Sequence, residues 1–107
     1  MGTKQRLKRV RRKIRDAETF LTEQTLRTKF PSAEAYRTIY DTIRVRIIDP
    51  RFEGKNRIKR DKMVLPLIHA LPEEVQTQII FLLLLAPGEE DSSILNFEFD
   101  NPDHKLD

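Results

Sequence analysis

The residues of this chain whose type and spacing could do chemistry are its lysines and arginines. Residues 1–15 carry Lys4, Arg6, Lys8, Arg9, Arg11, Arg12, Lys13 and Arg15 with no acid among them. Residues 16–62 hold eleven basic and eight acidic side chains, and residues 63–107 hold Lys105 alone against nine acids. The net charge of +3 therefore conceals a basic start and an acidic end, a polarity that steers anionic partners toward one end. A second dense run, Lys55, Arg57, Lys59, Arg60 and Lys62, follows the turn Phe52-Glu53-Gly54-Lys55. Arg44 and Arg46 alternate with Ile43, Val45 and Ile47, so on a strand they would project from the opposite face. Side chains of this kind neutralise phosphates, and each phosphate neutralised adds affinity and salt sensitivity. The nucleic-acid-contacting set read from the sequence is Arg9, Arg12, Arg44, Arg46, Lys55, Arg57, Lys59 and Arg60.

Other chemistries find little support. There is no Cys, which excludes disulfides, thiolate metal sites and cysteine nucleophiles. His69 sits among Leu67, Ile68 and Leu71 and reads as a core-edge or capping residue, while His104 lies in the tail. Two isolated histidines do not make a metal site. The acid pairs at Glu73-Glu74 and Glu89-Glu90-Asp91 are explained by a helix dipole and by solubility. No Ser/His/Asp constellation and no phosphate-binding glycine loop of known type is visible, so the chain reads as non-enzymatic, with no cofactor and no metal.

The elements that must position these residues follow from periodicity. Leu7, Val10, Ile14, Ala17 and Leu21 recur at spacings of three and four, one stripe of a helix expected over about Lys4–Thr28. Phe30-Pro31-Ser32 breaks it, and Ser32 is placed to cap a second helix on which Tyr36, Ile39, Tyr40 and Ile43 share a face. "TIRVRII" alternates as a half-buried strand that ends at Asp49-Pro50, a helix continued to Ile48 being the alternative. A helix is expected from about Arg57, kinked or divided at Pro66, with a fresh start at Leu71-Pro72-Glu73-Glu74. "QIIFLLLLA" reads as one buried strand closed by Pro87-Gly88, its leucines leaving a helix as the alternative, and "ILNFEFD" as a strand with one wet face. The 107 residues thus divide into a basic N-terminal helix (1–30), a core domain (31–100) and a loose acidic tail (101–107). Helices and strands are partly segregated, which makes the class α+β.

The stretch "DPRFEGKNRIKRDKMV" resembles the strand–turn–helix of the BolA-like proteins. Pro50, Phe52, Glu53, Gly54, Lys55, Arg60 and Val64 fall where that pattern puts equivalent residues, and "IIFLLLLAPGEE" resembles the strand that follows. The resemblance covers Thr42 to Glu90. It implies a small KH-like mixed sheet (the type II arrangement) with helices packed on one face, no enzymatic activity, and nucleic-acid binding. It also implies partnership with monothiol glutaredoxins around an iron–sulfur cluster. The family's two histidines are missing, however. Asp61 stands at the first position, and the second region reads Gln78-Ile79-Ile80. Neither is a good soft-metal ligand, so cluster sharing is not expected.

Each signal also has a plainer reading. The Phe52–Lys55 turn either presents backbone donors and Lys55 to a phosphate or is a corner, with Phe52 buried and Gly54 at positive φ. The basic N-terminal helix lies on nucleic acid, on an anionic membrane surface, against another helix through its stripe, or simply on its own domain. The membrane reading is weakest, because no Trp or Phe anchors the basic stretch. Phe52 and Tyr36 are candidates for reading bases, but aromatics at these spacings are more often core. The expectation is a non-enzymatic binding module that engages nucleic-acid phosphates. The alternative is an interaction or self-associating adaptor, with a protein partner or a second copy. The longest apolar run, Ile79 to Ala86, is too short for a membrane helix, and no apolar stretch follows the basic start as in a secretory signal. A cytoplasmic location is expected.

Overall fold

The structure, a computed structural model, describes residues 13–102. They form an α+β domain in the order α1 (Ala17–Arg27), β1 (Glu34–Arg37), β2 (Ile43–Ile48), a 3₁₀ turn (Pro50–Phe52) and α2 (Arg57–His69). There follow α3 (Glu73–Gln76), β3 (Ile79–Leu85), a second 3₁₀ turn (Glu90–Ser92) and α4 (Ile94–Asp100). The three strands make one mixed sheet in the order β1-β2-β3. β1 and β2 are antiparallel, and β3 returns parallel to β2 after α2 and α3. Among the described residues no helix is long and apolar enough to cross a membrane.

β2 is built as its alternation dictates. Ile43, Val45 and Ile47 are fully buried on one face, while Arg44, Arg46 and Ile48 occupy the other. The first face meets Leu26 and Phe30 from the α1 region, Val64 and Ile68 from α2, Leu71 and Val75, forming the main core with Leu84 of β3. The opposite face carries a second cluster of Tyr36, Leu83, Leu85 and Phe99, with Ile48 and Phe81 against it. α4 supplies that Phe99, so helices cover both faces of the sheet and not one.

Three expected elements differ. Within the described residues the expected N-terminal helix starts only at Ala17, because Ile14 is extended and exchanges both backbone bonds with Arg37 at 2.9 and 2.7 Å. Asp16 then caps α1, accepting from the Thr19 N–H while Thr19 Oγ1 accepts from the Asp16 N–H, a reciprocal box that fixes the start. Residues 4–12 of the expected helix lie outside the described residues. The expected second helix is the strand β1 followed by a hairpin loop. Tyr36 and Ile43 lie on opposite faces of the sheet, Ile39 and Tyr40 are exposed in the loop, and Asp41 takes φ +70 to close it. Ser32 caps no helix but bonds the backbone of Ile48. Finally, "ILNFEFD" is helix. Ser93 caps it through the Asn96 N–H at 3.1 Å, and Phe99 is buried while Ile94 and Phe97 stay exposed. Pro66 does not divide α2, which runs unbroken from Arg57 to His69. The new start at Pro72-Glu73-Glu74 forms as expected, with Pro72 just outside the first turn of α3.

Candidate nucleic-acid interface

The corner between β2 and α2 is set by short-range chemistry. Asp49 ends β2 by accepting from the Arg51 N–H at 2.9 Å, with Pro50 next in the 3₁₀ turn. Phe52 is completely buried and stacks on Phe30 with ring centroids 5.4 Å apart. Gly54 has φ +74, and a Cβ there would meet nothing within 4 Å, so the demand for glycine is conformational and not steric. Asn56 then caps α2 by accepting from the Lys59 N–H at 2.9 Å. These are the features of a structural corner, and they place Lys55 and the start of α2 at the surface.

The eight sequence-predicted contact residues separate into three groups. Arg9 and Arg12 lie outside the described residues. Arg44, Arg46 and Arg60 are engaged within the fold. Arg44 lies over the Phe81 ring at 4.9 Å and donates to the Glu98 carbonyl at 3.1 Å. Arg46 stacks over Phe99 at 4.5 Å and is held by Glu34 at 2.9 Å, Asn96 at 2.7 Å and Asp100 at 3.1 Å. Expected as a bare basic strand face, this pair is instead the bed on which α4 lies. Arg60 forks onto Glu89 at 2.7 and 2.9 Å and also donates to the carbonyls of Leu84 and Lys55, at 2.9 and 2.8 Å. Those bonds hold the Glu89 carboxyl down at about 2, helped by the Ala86 N–H, and push the Arg60 guanidinium up.

The third group remains available. Lys55, Arg57 and Lys59 are exposed, as is Lys62 one turn on. Arg57 makes a loose pair with Asp61 at 3.6 Å and keeps 72% of its side chain exposed. The lysines at 55, 59 and 62 make no ion pair with any described residue. Between Arg51 and Lys62 stand six bases against Glu53 and Asp61, so this end of the domain carries excess positive charge. Arg51 itself is bound to Asp49, whose carboxyl it holds below the usual range, and lies over Phe30 at 4.6 Å.

Several residues that organise the fold carried no local signal in the sequence. Arg37, with 9% of its side chain exposed, gathers Asp16 and Glu18 at 2.6 Å each, Gln78 at 2.5 Å and Asp41 at 3.4 Å. Burial pushes the Asp16 carboxyl up, but the bonds from Arg37 and the Thr19 N–H outweigh it, and the net shift is downward. Buried Glu23 accepts from Arg15 at 2.8 Å and from the Ala35 N–H at 2.8 Å. Tyr36 and Phe52, the aromatics that could have read bases, are both core residues. Tyr36 donates to the Phe99 carbonyl at 2.6 Å, and burial raises its phenol.

Asp61, where the BolA-like pattern has its first histidine, and Gln78, in the region of the second, are structural in this chain. Gln78 is held between Arg37 and the Glu74 carbonyl, and Asp61 faces Arg57 through one oxygen while its Oδ1 is buried without a partner. Neither donor set fits an iron–sulfur cluster, which takes thiolate or imidazole. Among the described residues no group of three or more His, Cys, Asp or Glu side chains is arranged to hold a metal ion. Comparison with protein-family models, with curated proteins and with solved structures finds no match to the chain.

Proposed function

We propose that this chain is a non-enzymatic binding module of KH-like, BolA-like architecture that engages nucleic-acid phosphates. The contact surface is the Phe52–Lys55 corner and the first half of α2. The strand order β1-β2-β3, with an antiparallel hairpin and a parallel third strand, supports the architectural half of the reading. The functional half rests on one observation. Lys55, Lys59 and Lys62 are exposed and unpaired among the described residues, where Arg46 and Arg60 are each held by several internal bonds and Arg44 by the Glu98 carbonyl and the Phe81 ring. Lysine presents a hydrated point charge on a flexible stem, which suits phosphate contact without base readout. Binding of this kind tracks the backbone and is insensitive to sequence. The basic residues 1–12 add charge to the same molecule, and their anions of choice would be the same.

Titration of an isotopically labelled chain with a mixed-sequence oligonucleotide, followed by amide NMR shifts, tests this. The expected result is shifts concentrated at residues 53–62 and equal for oligonucleotides of different sequence. Shifts confined to residues 1–12 would leave the corner as scaffold, and no shifts at low salt would remove the reading altogether.

A further inference from the structure

The two edges of the sheet are finished differently. Along the β1 edge the Ala33 carbonyl accepts from Arg27 Nε at 2.8 Å, the Ala35 N–H donates to Glu23 at 2.8 Å, and Arg37 exchanges both its backbone groups with Ile14. On the other edge, the Asp49 N–H donates to the Leu85 carbonyl, so Leu85 faces β2. By the alternation of a parallel ladder, Leu82 and Leu84 then turn their backbone groups outward. Arg60 takes the Leu84 carbonyl at 2.9 Å, but no described residue takes the outward N–H or carbonyl of Leu82. Ile80, next along, is skipped in the pairing, with Ile43 opposite Ile79 and Arg44 opposite Phe81, and it is 66% exposed. The strand Ile79–Leu85 contains no charge and no proline, so between the irregularity at Ile80 and the Arg60 cover at Leu84 the edge at Leu82 has nothing to keep it from pairing.

We propose that this open edge is where two copies of the chain associate, their β3 strands running antiparallel about a twofold axis at Leu82. Leu82 of each copy then exchanges its N–H and carbonyl with Leu82 of the other. Ile80 comes to face Leu84 of the second copy, and the two sheets join into one of six strands. A second copy fits this edge because a twofold matches like with like along an uncharged apolar strand. It also fits by charge. α2 runs opposite to β3, from Arg60 beside Leu84 down to His69, and the chain returns through α3 to the start of the strand. The twofold therefore lays the basic first half of α2 alongside the acidic Glu73 and Glu74 of the second copy, so that a second copy and nucleic-acid phosphates compete for that half of the helix. A strand from another protein would need that same arrangement of apolar centre and opposed charges.

The test is sedimentation equilibrium of the full chain from micromolar to millimolar concentration, without nucleic acid, joined to hydrogen exchange at the Leu82 amide. Omitting nucleic acid keeps failure here distinct from failure of the phosphate-binding reading. The expected result is a monomer–dimer equilibrium in which Leu82 becomes protected as the dimer fills. Ile80→Lys, at an exposed position outside the core, should keep the wild-type circular dichroism and weaken association by roughly tenfold or more. A monomer at every concentration overturns the proposal, as does a dimer that Ile80→Lys leaves intact while Leu82 exchanges freely. Protection of Leu82 only on adding an unrelated apolar β-strand peptide would assign the edge to a different occupant.

Discussion

Replacing Arg60 by Ala separates a scaffold role from a phosphate-binding one. Its guanidinium makes two bonds to Glu89, one to the Leu84 carbonyl and one to the Lys55 carbonyl, and 12% of its side chain is exposed. Glu89 is 40% exposed, so solvent screens the ion pair and leaves it about 1 kcal/mol. Each carbonyl bond contributes about 0.5–1 kcal/mol net, which brings the expected loss to about 2–3 kcal/mol. In a domain of this size that lowers Tm by roughly 10 °C or more. The loss also depends on pH. Arg60 holds the Glu89 carboxyl at about 2, below the usual 4.5, so between those values the folded chain binds fewer protons than the unfolded one. The pair's contribution is whole above pH 4.5 and disappears as pH falls toward 2. Urea titrations followed by circular dichroism should therefore show wild type and Arg60→Ala differing most near neutrality, with the difference reduced in acid by the ion pair's share, about 1 kcal/mol, while the share of the two carbonyl bonds persists. At a temperature where both are folded, their oligonucleotide affinities should agree within about twofold, because this guanidinium is already committed. A variant within about 0.5 kcal/mol of wild type at pH 7 that has also lost binding would refute the scaffold assignment.

Arg37→Ala should cost about 2–3 kcal/mol in the same assay, since it removes a buried guanidinium that binds Asp16, Glu18, Asp41 and Gln78 at once, and Arg37→Lys should recover only part, lacking the planar fork. Gly54→Ala should cost about 1 kcal/mol for the left-handed backbone, and Gly54→Asn less, because Asn tolerates that region and a side chain there meets no neighbour. Equal losses for Ala and Asn at position 54 would mean that space and not φ sets the requirement.

The sequence spelled out β2, α2 and β3 because each has a clean local signal. β2 has its strict alternation and Asp-Pro stop, α2 the helical spacing of its apolar residues from Ile58 to Leu71, and β3 a long apolar run for which helix was the alternative. β1 was illegible because Tyr36, Ile39, Tyr40 and Ile43 satisfy a helical spacing by coincidence, and only pairing with β2 decides otherwise. In α4 the three apolar residues at 95, 97 and 99 alternate, yet 95 and 99 also lie one helical turn apart, and the Ser93 cap settles the choice. The same limit applies to the candidate site. Lys55 and Lys59 were readable because an exposed lysine needs no partner to explain it. Arg46 and Arg60 were not, because their acceptors Asp100 and Glu89 lie 54 and 29 residues away and arrive only with the tertiary fold. Arg44 and Arg46 were right in orientation and wrong in environment, since nothing local announces that α4 will cover them.

The claim at the centre of this account is that the unpaired lysines at the β2–α2 corner carry the phosphate contacts. Its most direct test is the salt dependence of oligonucleotide binding, by fluorescence anisotropy, for the wild type and for Lys55→Ala/Lys59→Ala/Lys62→Ala. Each phosphate contact contributes roughly 0.7–0.9 to the slope of log affinity against log salt. The triple variant should therefore bind more weakly with a slope shallower by about 2 to 3. An unchanged slope in the triple variant, with binding abolished by deleting residues 1–12, would contradict the claim and move the interface to the N-terminal arm.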